Sequence, residues 1–345
     1  MKAAVVEKSG VLDIWQVPEP SFDEYQALVK MKACSICNGT DGKILDGKLV
    51  FVRKYPTILG HESVGEVVET GGKVRNYKKG DLVFRPGISY ERNDPLASTW
   101  GGFAEYGIIT DMRARMADGL KYPSGASMQQ VIPPETGVNA VDATMLITYK
   151  ETISFLQNFG VGPGQSAVIW GTGPVSLCFV MFAKLLGAYP VICCGRRDAA
   201  LKDAERMGAD KTVNVAAEDA FKAVMNYTGG RGADKIVDGV GDFSIVQSSI
   251  PMAASGGEIG IYGIAPSDEN YRQEALVDMG GRLSPYAIRV LGPDESSAHE
   301  QMMALVRLGM VDPHILVDEV IGLDEIAKGF ELIRGKRARK VVVEF

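Results

Sequence analysis

Residues 166–188, SAVIWGTGPVSLCFVMFAKLLGA, restrict the fold more than any other stretch. They read as a short apolar strand, a glycine turn and a long apolar helix. PVICCG follows as a second buried strand and DAALKDAERMG as a second helix, and KTVNV, DKIVDGVG and GGEIGIYGI continue the alternation. Strand and helix at this spacing predict βαβ units, a parallel sheet with helices on both faces. The first 140 or so residues have another character. YQALVKMKA, SVGEVVET and DLVFRPG alternate at the strand period between Gly-, Asn- and Lys-rich turns, a pattern that closes into an irregular barrel. After about residue 290 the pattern shifts again, through AHEQMMALVRLGM and LDEIAKGFELIRGK to a closing strand, KVVVEF. A chain of 345 residues exceeds what one hydrophobic core supports, so two modules are expected.

Composition removes several classes of function. The net charge of −6 and the pI near 5.3 argue against nucleic acid or an anionic membrane surface as partner. No apolar run reaches the ~18 residues that a bilayer span needs, and the N-terminus lacks a signal peptide's apolar run. The five cysteines (Cys34, Cys37, Cys178, Cys193, Cys194) are odd in number and scattered. That argues against a disulfide framework, and a cytoplasmic location is expected.

The glycine turn carries the first chemical signal. Gly171 permits a tight turn between strand and helix, and Gly173 lets a pyrophosphate approach the backbone at the helix N-terminus. Ser176 replaces the third glycine of the G-x-G-x-x-G pattern, and its small side chain should nearly serve. A βα turn without a ligand is the plainer alternative. The next strand, VICC, ends in Gly195, Arg196 and Arg197. An NAD-preferring fold usually places a carboxylate there. Two guanidinium groups would instead chelate a 2′-phosphate, and their position about 20 residues after the glycine turn favours NADP over the plainer alternative of a solvated loop.

The second signal is GHE. Of three histidines in the chain, His61 stands beside Glu62 before the alternating run, and Cys37 lies in a Gly/Asn-rich turn after a strand. Cys37 and His61 offer a thiolate and an imidazole, two ligands of a catalytic zinc, and Glu62 is a candidate ligand or ligand partner. Cys34 and Cys37 form a C-x-x-C, for which a redox dithiol is the weaker alternative.

Nearly end to end, the chain resembles the zinc-containing medium-chain dehydrogenase/reductase family of alcohol, polyol and threonine dehydrogenases. The resemblance rests on MKAAVVE, CNGTD, GHESVGEVVETGG, YKKGDLV, GGFAEY, GVGPGQSAVIWGTGPVSL, GAD, VDGVG, GGEIGIYG and GKRARKVVVEF. It implies an α/β architecture in which a GroES-like β-barrel catalytic domain (1–148) precedes a Rossmann doubly wound parallel-sheet domain that binds NADP (149–288). Residues 289–345 would return to the catalytic domain. Cys37 and His61 would be zinc ligands, with Glu62 a carboxylate that exchanges with water on the metal. Thr40 would pass the substrate proton, and Asp41 would hold the turn. Gly171, Thr172, Gly173, Pro174 and Val175 would line the pyrophosphate, with Lys340 near the same phosphates, and Gly263 and Ile264 are taken as further cofactor contacts.

Three departures stand out. The family's C-x-[ST]-D reads Cys37-Asn38-Gly39-Thr40-Asp41 in this chain, one residue longer. Counting to the usual third ligand lands on Ile147, which cannot bind metal, so Glu151 or Glu62 is expected to serve. Residues 85–112 lack the cysteines of a second, structural zinc, so one catalytic ion alone is expected.

The resulting expectation is an NADP(H)-dependent oxidoreductase that interconverts a secondary alcohol, a polyol or sugar among the candidates, and its ketone. A zinc-independent NADPH reductase of the same fold, acting on a carbonyl or activated C=C, is one alternative. A non-catalytic NADPH-binding protein is the other. Trp100 is a candidate lining residue of the substrate site, Phe103 a core residue, and His299 and His314 ordinary histidines. The resemblance further suggests a homodimer or homotetramer, with GGEIGIYG as an edge strand that extends a sheet across subunits.

Overall fold

The computed structural model describes residues 1–49, 52, 54–90, 94–121, 126–262, 288–290 and 294–345. The chain divides into two compact units, one made of Met1–Thr148 with Glu295–Phe345 and the other of Tyr149–Asp294. Among the described residues no helix is long and apolar enough to cross a membrane.

In chain order the first unit begins with β1 (Lys2–Lys8), β2 (Val11–Gln16) and β3 (Gln26–Ser35). Then come α1 (Lys43–Leu45), β4 (Thr57–Ile58), β5 (Glu62–Thr70), β6 (Leu82–Phe84), β7 (Ala97–Ser98), β8 (Tyr106–Thr110) and α2 (Met112–Ala117). α3 (Ala140–Asn158) carries the chain into the second unit, which contains β9 (Ala167–Trp170), α4 (Pro174–Leu185), β10 (Val191–Gly195) and α5 (Asp198–Arg206). It continues with β11 (Lys211–Asn214), α6 (Ala220–Tyr227), β12 (Ala233–Asp238), α7 (Phe243–Ser249), β13 (Ala253–Ile261) and β14 (Ile288–Val290). The C-terminal segment returns to the first unit through the helices His299–Arg307 and Ile326–Arg334 and the strands β15 (Val317–Gly322) and β16 (Lys340–Glu344).

The second unit is a six-stranded parallel sheet in the order β11-β10-β9-β12-β13-β14. This is the doubly wound Rossmann order, whose direction reverses between β9 and β12. Every residue of β9 and β10 is buried, as a strand covered on both faces requires. β13 pairs with β12 on one side and β14 on the other. GGEIGIYG is therefore an interior strand, which corrects the expectation of a free edge: its backbone groups are already paired within the chain.

The first unit has the GroES-like layout of short sheets, β2-β1-β4-β7 and β15-β16-β3-β5-β6, with β8 on the flank of β3. β3 is its spine. The antiparallel register sets Ser35 opposite Glu62 and Cys34 opposite Ser63, while Val342 of β16 also faces Ser35. The turn after β3, the residue before β5 and the start of β16 thus emerge at one end of the sheet. Ile326, Phe330 and Ile333 of the last helix share a core with Ile36, Leu59 and Phe103, so the C-terminal segment closes the hydrophobic core that the first strands begin.

Candidate functional site

That sheet end gathers three side chains that could hold a metal ion. Ligand atoms of Cys37, His61 and Glu62 lie within 4.8 Å of one another. A tetrahedral zinc with bonds of ~2.0–2.3 Å separates its ligands by roughly 3.3–3.8 Å, so the three atoms need close in only slightly. Sulfur, imidazole and carboxylate are the donor types that such an ion takes.

The extra residue after Cys37 is absorbed by a π-helical turn over Asn38–Gly42, in which the Gly42 N–H donates to the Cys37 carbonyl at 3.3 Å. The wider turn keeps Asp41 aimed inward. Its carboxylate accepts from the Cys37 N–H at 2.9 Å and the Gly60 N–H at 3.3 Å, and lies 3.4 Å from His61 Nδ1. One fully buried carboxylate therefore aligns both ligand segments and fixes the imidazole, leaving Nε2 to face the metal position. Thr40 is buried in the same turn.

Glu62 is the hub of the charge pattern. It accepts from Ser35 Oγ and Lys340 Nζ, and at 2.8 Å from Thr148 Oγ1. Burial pushes its carboxyl up, but Lys340, His61 and Ser35 outweigh that and hold it down at about 2. Burial pulls the His61 pKa down, yet Asp41 and Cys37 raise it well above the ordinary value. A cluster that holds a proton so firmly lacks positive charge, which is what a divalent cation would supply. Lys340, expected at the cofactor phosphates, is buried and pairs with Glu62, since a buried ammonium needs a carboxylate. Cys34 lies in the core, where burial pushes its thiol well up, so it is no dithiol partner for Cys37.

Glu151 does not belong to this cluster of ligands. Its carboxylate accepts a hydrogen bond from Tyr262 at 3.0 Å within the second unit. Ile147, where the resemblance placed a ligand, is core, while its neighbour Thr148 turns a hydroxyl to Glu62. Arg85 escaped the sequence reading, whereas Trp100 is the residue expected to line the substrate site. Arg85 is buried with φ +53° and donates to the His61 carbonyl at 2.5 Å and to Glu295 at 2.7 Å. Trp100, at φ +68°, sets its indole 5.1 Å from the His61 ring. Only the proline after Arg85 and the glycines after Trp100 hinted at unusual backbone. Phe103 is core, His299 packs edge-on against Phe84, and His314 pairs with Asp142.

In the second unit the glycine turn is a backbone cradle. Gly171 has φ +104°, a conformation that side chains resist, and Ser176 packs beneath it, donating to the Trp170 carbonyl at 3.2 Å. Serine thus fills the third-glycine position and bonds the strand end. Asp219 and Asp242 cap α6 and α7, whereas α4 and α5 start without a side-chain cap. Free N–H groups at those two helix starts suit phosphate. Thr172, Pro174 and Val175 are partly exposed around the turn, and Arg196 and Arg197 are exposed where β10 meets α5. Gly263 and Ile264 lie outside the described residues.

Comparison with known proteins finds family matches in both units. The alcohol dehydrogenase GroES-like domain family matches residues 23–116, and the zinc-binding dehydrogenase family matches residues 174–305. An alcohol dehydrogenase of Cupriavidus necator is 27% identical over 98% of this chain and 96% of its own length. The L-threonine 3-dehydrogenase of Bacillus subtilis is 29% identical over 99% and 97%. A crystal structure from Sinorhizobium meliloti 1021, bound to NADP, superposes with a TM-score of 0.79 at 26% identity, covering 100% of this chain and 99% of that one. With family matches in both units and full-length relatives, the chain belongs to the zinc-containing medium-chain dehydrogenase/reductase family, among its alcohol dehydrogenase-like members.

Proposed function

We propose that this dehydrogenase uses NADP(H) and interconverts a secondary alcohol and its ketone, with one catalytic zinc held by Cys37, His61 and Glu62. The convergence of those three side chains carries the reading. When bound, zinc supplies Lewis acidity toward the substrate oxygen and the dinucleotide carries the hydride. Asp41 at Nδ1 keeps the proton on that nitrogen, so the Nε2 lone pair of His61 stays available. Lys340 offsets the charge of Glu62. Lys340 thus cancels one of the negative charges around the ion's position. The Thr40 hydroxyl takes or returns the proton of the alcohol, a carry-over from the family pattern that its place in the turn beside Cys37 supports.

The NADP preference is supported by sterics as well as charge. A Cβ at Gly195 would stand 2.5 Å from the Thr172 methyl, so a carboxylate has no room at the end of β10. Arg196 and Arg197, next in sequence and exposed, are left to chelate a 2′-phosphate. The threonine dehydrogenase relatives fit a secondary alcohol, since the 3-hydroxyl of threonine is one.

The test is a cofactor and metal assay. Zinc-loaded protein is given butan-2-one with NADPH or NADH. We expect one zinc per chain and NADPH favoured at least about tenfold, the value of one charge-assisted bond. Cys37→Ser should lose the ion and turnover on the order of a thousandfold. Full turnover by metal-stripped protein would favour the zinc-independent reductase. Tight NADPH binding without turnover of any carbonyl would indicate a binding protein.

A further inference from the structure

We infer that Trp100 selects the substrate: its indole is a fixed apolar wall beside His61 that favours ring-shaped secondary alcohols, cyclitols and pyranose sugars included, over open-chain ones. The inference rests on the alcohol–ketone reading above and narrows it.

Three observations carry it. The first is position. The indole and the His61 imidazole lie 5.1 Å apart at 47°, and Trp100 is still 39% exposed. One part of the ring touches a metal ligand while another remains open to a bound molecule. The second is backbone strain. A bulky residue at φ +68° is costly, and such residues persist only where the surroundings over-determine them.

The third is how tightly the segment is pinned. The Trp100 carbonyl accepts from the Ile88 N–H at 2.8 Å, and Thr99 donates to the Ile58 carbonyl at 2.8 Å. Gly102 and Phe103 donate to the Gly60 and Leu59 carbonyls at 2.7 and 2.9 Å, and Phe103 is fully buried. The Trp100 carbonyl even occupies the space of a missing side chain, since a Cβ at Gly87 would stand 2.3 Å from it. The chain thus spends backbone strain to hold a large flat ring next to His61, and the ring's backbone cannot retreat.

A rigid flat wall discriminates by shape. A six-membered ring lays its C–H face along the indole without freezing any torsion, whereas an open chain must fix several rotors for the same contact. Contact of this kind is worth about threefold to tenfold in affinity.

The experiment compares kcat/KM for cyclohexanol and hexan-2-ol, which have equal carbon number, in wild-type protein, Trp100→Asn and Trp100→Phe. Asparagine tolerates the left-handed backbone while removing the ring, and phenylalanine keeps a smaller ring. Zinc content per chain reports whether each variant is intact. We expect wild type to prefer cyclohexanol about threefold to tenfold, Trp100→Asn to lose that ratio and Trp100→Phe to keep part of it. A wild-type ratio near one, or a ratio unchanged in Trp100→Asn, overturns the inference. If neither alcohol is oxidised, the alcohol–ketone reading fails by itself. Equilibrium binding of the same two alcohols to the zinc-loaded protein then decides about the wall: equal affinities reject it, and a ring preference lost in Trp100→Asn supports it.

Discussion

The ligand cluster of the first unit and the glycine turn of the second are built in opposite ways. The turn is contiguous: strand, Gly171 to Gly173 and the start of α4 lie within a few residues, and backbone N–H groups are its working parts. The cluster is dispersed. Glu62 is held by Ser35, Thr148 and Lys340, partners 27, 86 and 278 residues away, and its working parts are side chains, Cys37 half-buried and the others buried. A backbone cradle survives most side-chain changes near it. A buried charge cluster does not, because each member neutralises another and removing one leaves an uncompensated charge.

The largest expected effect tests that contrast at Lys340. Lys340→Met leaves Glu62 buried without its counter-ion and should cost about 3–5 kcal/mol of stability in urea denaturation. Adding Glu62→Gln should recover much of the loss. Additive losses would show that the cluster is no more coupled than the turn.

A smaller effect is expected at the turn. Gly195→Asp forces a side chain against Thr172 and sets a carboxylate where a 2′-phosphate would bind. An overpacking cost of about 1–3 kcal/mol corresponds to NADPH affinity lower by roughly fivefold to a hundredfold, with no gain for NADH until Thr172→Gly makes room. Conversion to NADH by Gly195→Asp alone would contradict the steric account.

The smallest belongs to the surface, outside both regions. His314 Nδ1 lies 2.7 Å from Asp142, whose hydrogen bond and charge raise the histidine's pKa above its ordinary value. A raised pKa favours the charged form in the folded state. Its contribution is therefore complete below pH ~6.5 and fades as pH rises through the folded value. His314→Gln should lower Tm by about a degree or two at pH 6 and by nothing measurable at pH 9, since exposed pairs contribute little. An equal loss at both pH values would make the pair irrelevant.

What could be read beforehand follows the same division. The βαβ alternation, the glycine turn, the arginine pair and the Cys37–His61 pair are each short patterns, and the structure places them on the elements that periodicity predicts. The resemblance sets Lys340 near the phosphates, and Glu151 is a carboxylate one helical turn past the position that counting reaches. Counting cannot see that one is needed by Glu62 and that the other is engaged by Tyr262. For Arg85 only the following proline hints at the backbone, and its burial was not legible, because the carboxylate that makes it tolerable stands at Glu295. The one-residue insertion after Cys37 is legible in the sequence, but only the structure shows that a π turn absorbs it and keeps Asp41 in place.

The sequence by itself determined the two units, the parallel sheet, the glycine turn and the Cys37–His61 pair as a candidate metal site, since hydrophobic period and glycine placement act over a few residues. Only the tertiary structure decided that Glu62 rather than Glu151 stands beside Cys37 and His61, the counter-ion of Glu62, the brace on His61 and the contact of the Trp100 indole with it. Those depend on which side chains meet across strands distant in sequence, and the desolvation of buried charge chooses among partners that no local pattern names.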